Sequence, residues 1–270
     1  MNQTFNALIN EALFTGEMLC AGYTQIRKAN YAKRGTYFQA FTSLSTGIER
    51  IGKLFLLLSY SLENGGTYPT NQYMKDKIGH DITKIYQAVK EKCNNYDFKF
   101  EYLENLDGKI YQDIIILLSR FGKGDRYSNI DLLVGSNNYE DPISVWYSKI
   151  DLYLYEKYVT KNRKEKIKQN AIIINELMSP YTMVRHTAED GTEINRVFDA
   201  SLRTGINEAI SSYRQLIIFH IIRYFVEALH QLQYKIMEEC TFEVPFFTDV
   251  FRVFVNDDKY MKQRKTIDIV

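Results

Sequence analysis

Apolar residues recur along most of this chain at intervals of three and four, the spacing of a helix that buries one stripe of its surface. Leu8, Ala12, Met18, Leu19 and Tyr23 mark such a stripe in a first helix predicted from about Thr4 to Ala29. A second should run from about Tyr31 to Leu62 and stop at Asn64-Gly65-Gly66, residue types that end helices. A third is expected from Tyr73 to Cys93, with a break at Gly79, and a fourth from Asp107, its N-cap, through Phe121. Asp141 and Pro142 read as N-cap and first residue of a long fifth helix reaching Met178, before Pro180. The longest periodic stretch covers Thr204 to Glu239. Residues 122–142 and 184–199 are rich in turn formers and polar groups and read as loops. The tail from Phe242 reads either as a short helix or as a strand. The pattern predicts an all-α bundle over residues 1–180 and a C-terminal helical region, residues 181–270, packing on the same core.

Within the second helix, Thr46 to Leu58 combines an apolar run with Gly47 and Gly52 and with Glu49 and Lys53 one turn apart. Glycine inside a helix costs about 1 kcal/mol relative to alanine, so two within six positions imply the close approach of another helix. Glu49 and Lys53 stand in the favourable i, i+4 order. They form either an ordinary surface pair or part of a polar seam. His80 and Lys84 repeat the one-turn spacing in Ile78 to Val89, with Asp81 placed to cap the helix or orient the imidazole. Arg126, in the glycine-containing loop GKGDRYSNID, can bind a phosphate or a carboxylate, or tie the loop to a helix end.

Composition narrows the chemistry. The formal net charge is +1, so no overall field draws the chain to nucleic acid or anionic membrane. Cys20, Cys93 and Cys240 stand far apart with no C-x-x-C pair, which argues against a zinc site or a disulfide framework and for a reducing cytoplasm. The amino terminus lacks the features of a signal peptide, and the runs Leu54 to Leu58 and Leu216 to Ile222 are too short to span a membrane. No metal-ligand cluster, nucleophile elbow or dinucleotide fingerprint occurs, and GKGD lacks the Ser or Thr of a P-loop, so no cofactor or metal is expected. The many tyrosines, 21 of them, suit helices whose rings pack while their hydroxyls reach water or a partner.

The run AFTSLSTGIERIGKL followed by GHDITKI, with RYSNID and DPISVW downstream, resembles HEPN-type helical proteins, and is most similar to the abortive-infection V-like branch and related bacterial proteins of unknown function. The likeness covers about residues 5–155. It implies an antiparallel four- or five-helix bundle, here with a long C-terminal helix appended. It also implies frequent homodimers and, in parts of the superfamily, links to phage defence or RNA cleavage. On that basis Glu49, Lys53, His80 and Arg126 are the candidate ligand-binding residues, for a nucleotide, an RNA or a protein partner. A structural subunit of a larger complex is a further reading.

The active HEPN ribonucleases use an Arg and a His separated by four to six residues, with two copies meeting across a dimer. Arg214 and His220 fit that spacing, with five residues between them, as do Arg223 and His230, with six. Six helical positions turn about 240°, so the first pair diverges; seven turn about 700°, so the second shares a face about 10 Å apart. Arg214 also falls among Ile217, Ile221, Phe225, Ala228 and Leu232, where it would need a carboxylate partner. The face with His220, Arg223, Glu227 and His230 could move protons at RNA without metal, the alternative to a binding module. It is equally an ordinary polar stripe. His186 in a polar loop and the run Lys161 to Lys168 read as solvated.

Overall fold

The computed structural model describes residues 2–136, 140–239 and 242–269. Helix α1 (Gln3–Lys28) starts at Asn2, whose side chain accepts from the Thr4 amide at 2.7 Å. Helix α2 (Gly35–Glu63) packs along it, and the glycines explain how closely. A Cβ on Gly22 would lie 2.5 Å from Leu44 Cγ and 3.0 Å from the Leu44 amide nitrogen. One on Gly47 would lie 2.7 Å from Leu19 Cδ2. Each helix therefore offers a notch to the other's leucine. Gly52 does the same for Ile85 and Phe225, on helices described below.

Helix α3 (Ile82–Asn95) is capped by Asp81, and α4 (Lys109–Lys123) completes the first half. The break expected at Gly79 is present: Gly79 sits at φ +62°, ψ −148°, a conformation left to glycine, and closes a π-helical turn, Met74–Ile78. Asp107 is not the N-cap of α4. Gly108 occupies that position, and the Asp107 carboxylate instead takes hydrogen bonds from Tyr86 at 2.8 Å and from Lys90.

The expected single fifth helix is two. Helix α5, residues 142–158, contains a π-helical turn, Tyr147–Asp151, that carries Asp151 into the core. Val159 is extended (φ −91°, ψ 116°), and Thr160 caps a new helix, α6 (Lys161–Met178). Residues 184–199 contain a two-residue antiparallel ladder, β1 (His186–Thr187) with β2 (Glu193–Ile194), rather than loop alone. His186 there is exposed, edge-on to the Tyr31 ring. Helix α7 (Val197–Glu239) starts a turn or two earlier than the apolar spacing suggests, because its first turns pack on α6, where Ile167 fills the space left by Gly205. The tail forms short helical turns, Phe247–Val250, Arg252–Val255 and Asp258–Gln263, with no strand among its described residues.

One hydrophobic core joins α1 to α5, α7 and the tail, so the C-terminal region completes the bundle instead of lying beside it. Ile217, Ile221, Phe225, Ala228 and Leu232 are all buried in it. Cys20 and Cys93 are buried free thiols; Cys240 lies outside the described residues. No described helix is long and apolar enough to cross a membrane.

Candidate functional site

The polar cluster beside α2 is assembled by helix spacing and one glycine turn. Glu49 and Lys53 are successive on the same face of α2, with Lys53 Nζ 2.7 Å from Glu49 Oε1. The Gly79 turn brings His80 over them. Its Nδ1 lies 2.9 Å from Glu49 Oε1 and 3.2 Å from Lys53 Nζ. The imidazole is 77% exposed, while the other two side chains are about one-fifth exposed at 21% and 22%. The outer member of the cluster thus faces solvent, and the ion pair beneath it is shielded.

Asp81 anchors this turn. Its Oδ1 accepts from the Thr83 amide at 3.0 Å and from Ser119 Oγ at 2.9 Å, while its Oδ2 meets Lys123 Nζ at 2.5 Å. Ser119 Oγ in turn accepts from the Ile82 amide at 3.1 Å, so α3 is pinned to α4 where His80 leaves it. Burial would raise the Asp81 carboxyl, but hydrogen bonds from Lys123, Ser119 and the Lys84 amide outweigh it and hold it down at about 2.

Two cavities flank the cluster, and Glu49 and His80 line both. The first, about 480 Å³, is bordered by Thr42, Ser45, Thr46, Phe121, Gly122, Lys123 and Arg126. Arg126 reaches it from a single 3-10 turn, Asp125–Tyr127. Its guanidinium rests 5.1 Å from the Tyr127 ring centroid and forms no ion pair among the described residues. The second, about 540 Å³, lies on the α1 side and includes Lys53. Glu49, Lys53 and His80 therefore meet directly, whereas Arg126 joins Glu49 and His80 only as a wall of the same cavity. Thr42, Thr46 and Glu49 fall at i, i+4 and i+7 on α2, a helical face legible in the sequence. Lys123 stands two residues before Asp125 in the same GKGD segment.

The Arg and His residues of α7 lie elsewhere and are engaged with their own chain. Arg214 is fully buried and grips Asp151 with two nitrogens, at 2.6 and 2.5 Å, while also donating to Asn207 Oδ1 at 2.6 Å and to the Ala29 carbonyl at 2.7 Å. The carboxylate that its place among apolar residues demands comes from the π turn of α5. His220 sits between Tyr111 Oη at 2.9 Å and Asp258 Oδ2 at 3.0 Å; burial lowers its pKa against the pull of Asp258. Arg223 is 2.9 Å from Asp258 Oδ1 and lies 3.6 Å from the Tyr102 ring centroid. His230 is held on the tail at Phe247 and has a buried Nε2 with no hydrogen bond among the described residues; burial pushes its pKa down to about 4. The tail thus covers the face that helix geometry gave to Arg223 and His230. Among the described residues no group of three or more His, Cys, Asp or Glu is placed to hold a metal ion.

Compared with known proteins, the chain matches no family model, no curated protein and no solved structure.

Proposed function

We propose that this chain is a HEPN-like ligand-binding module whose 480 Å³ cleft takes a nucleotide, either free or as the end of an RNA. The observation that carries this reading is the gathering of Glu49, His80, Lys123 and Arg126 around one cavity with the hydroxyl-bearing residues Thr42 and Thr46. A phosphate needs a cation that is not already neutralised, and Arg126 forms no ion pair among the described residues. Thr42 and Thr46 offer hydroxyls to further phosphate oxygens. Glu49 Oε2 takes no hydrogen bond among the described residues and suits a sugar hydroxyl or a base amine, the donors that a nucleotide brings with its phosphate.

Metal-independent RNA cleavage has less support in this geometry. Arg214 is closed into the core, and His230 lies beneath the tail with its basicity suppressed. The link to phage defence and a homodimeric assembly rest on the resemblance alone.

The test is calorimetric titration with the four nucleoside monophosphates and with a short 5′-phosphorylated RNA. Arg126→Ala should weaken whichever binds by about ten- to a hundredfold, the worth of a charge-assisted contact. Tighter binding of the oligonucleotide than of the monophosphates would assign the RNA end. Absence of binding, or binding indifferent to both Arg126→Ala and Lys123→Ala, would overturn the proposal.

A further inference from the structure

The second cavity has a different character from the cleft. At about 540 Å³ it falls within the range of roughly 300–1,000 Å³ that holds small molecules. Its walls are Leu8 from α1, Leu54 and Leu57 from α2, Tyr68 from the following loop and Met74 from the π turn. Apart from Tyr68 and the solvent-facing His80 imidazole its apolar lining is aliphatic, so the interior suits an aliphatic chain better than a stacked ring. Ala7 stands at its exposed lip.

Its rim is polar and balanced. Glu11 pairs with Arg50 at 2.7 Å, and Glu49 with Lys53 at 2.7 Å, two acids against two bases. Each pair leaves capacity unused. Lys53 carries three N–H groups and makes two contacts, to Glu49 and His80. Arg50 Nε is buried and makes no hydrogen bond among the described residues. On the acceptor side, Glu11 is engaged through Oε2 and Glu49 through Oε1. A carboxylate or ammonium head would add a net charge to a rim whose two ion pairs already balance, with no free counter-charge to offset it. A neutral head that both donates and accepts would use the spare N–H groups and spare oxygens together.

We infer that this cavity binds a small amphiphile, an aliphatic chain lying along Leu8, Leu54, Leu57 and Met74 with an uncharged amide head between Lys53, Arg50, Glu49 and Glu11. The inference does not depend on the nucleotide assignment, but the two cavities share Glu49 and His80, so whichever occupant takes the spare Glu49 oxygen denies it to the other.

The experiment titrates the full chain with octanamide, octanoate and octylammonium, followed by calorimetry. Octanamide should bind saturably, one per chain, and about tenfold more tightly than either charged analogue. Ala7→Phe, at an exposed lip position where folding is not at stake, should weaken octanamide by at least about tenfold; Leu57→Trp, which fills the interior, should abolish it. Arg126→Ala, which tests the nucleotide cleft, should leave octanamide binding unchanged. Failure of octanamide to saturate, equal or tighter binding of octanoate or octylammonium, or full binding in Ala7→Phe would each overturn the inference.

Discussion

Replacing Gly52 by alanine sets two effects of known size against each other. Alanine favours the helix by about 1 kcal/mol over glycine. The new methyl, however, would overlap Ile85 Cγ2 and press on Phe225 Cε1 at 3.4 Å. Ile85 is fully buried on α3, and a β-branched side chain in a helix has one strongly preferred rotamer, so it cannot swing aside. Overpacking of this kind typically costs about 1–3 kcal/mol, which leaves Gly52→Ala destabilised by up to about 2 kcal/mol net. For a domain of this size that lowers Tm by up to about 8 °C. Adding Ile85→Leu moves the branch one carbon outward, removes the overlapping Cγ2 and should return Tm most of the way. Gly22→Ala provides the contrast, since its new methyl meets the Leu44 backbone nitrogen at 3.0 Å and no side-chain change at Leu44 can relieve that. Urea and thermal unfolding followed by circular dichroism would measure all four. The steric argument fails if Gly52→Ala is more stable than the parent, or if Ile85→Leu does not improve it.

Two further outcomes follow from buried charge. Arg214→Met would strand the Asp151 carboxylate in the core and should cost about 3–5 kcal/mol, more than half of it recovered by adding Asp151→Asn; no recovery in urea denaturation would show that the pair is not the cause. His230 binds a proton near 6.5 when unfolded but only at about 4 when folded. Between those values the unfolded chain holds more protons, so stability is complete above about pH 6.5 and falls as pH drops towards 4, by about 3 kcal/mol from this residue. His230→Phe should flatten that part of the profile relative to the parent, and identical slopes would refute the assignment.

Much of the helical frame was legible because each helix buries a stripe whose period appears directly in the residues. The notches at Gly47 and Gly52 were legible for a related reason: glycine inside a helix is a local cost that only a tertiary contact offsets. So was the meeting of Glu49 with Lys53, fixed by helical spacing. The approach of His80 was not, because it depends on the backbone at Gly79 and on Ser119 pinning Asp81 from a helix far along the chain. The break at Val159 was not legible because no Gly or Pro stands between Tyr155 and Met178 to mark it. Arg214 announced its need for a carboxylate but not its partner, since a π turn shifts the register that would have named Asp151. The polar face of Arg223 and His230 misleads in the other direction. It looks open on a helical wheel and is closed by residues 101–111 on one side and by a tail whose sequence fits strand as well as helix on the other.

The 43 residues of α7 have a consequence for how the molecule comes apart. At a rise of 1.5 Å each they make a rod about 64 Å long, whereas a compact chain of this length has a radius of gyration of only about 18 Å. No one core can sheathe such a rod from end to end. Its first turns hold the hairpin, through Asn207 to Glu189 and Arg203 to Asp190; its middle lies in the core; its last turns hold the tail, through Gln233 to the Thr248 amide. Three neighbourhoods thus share one axle, each with its own stock of contacts. Amide exchange along this single helix should be graded, slowest around Ile217 to Leu232 and faster towards either end, with the two extremities loosening independently of one another.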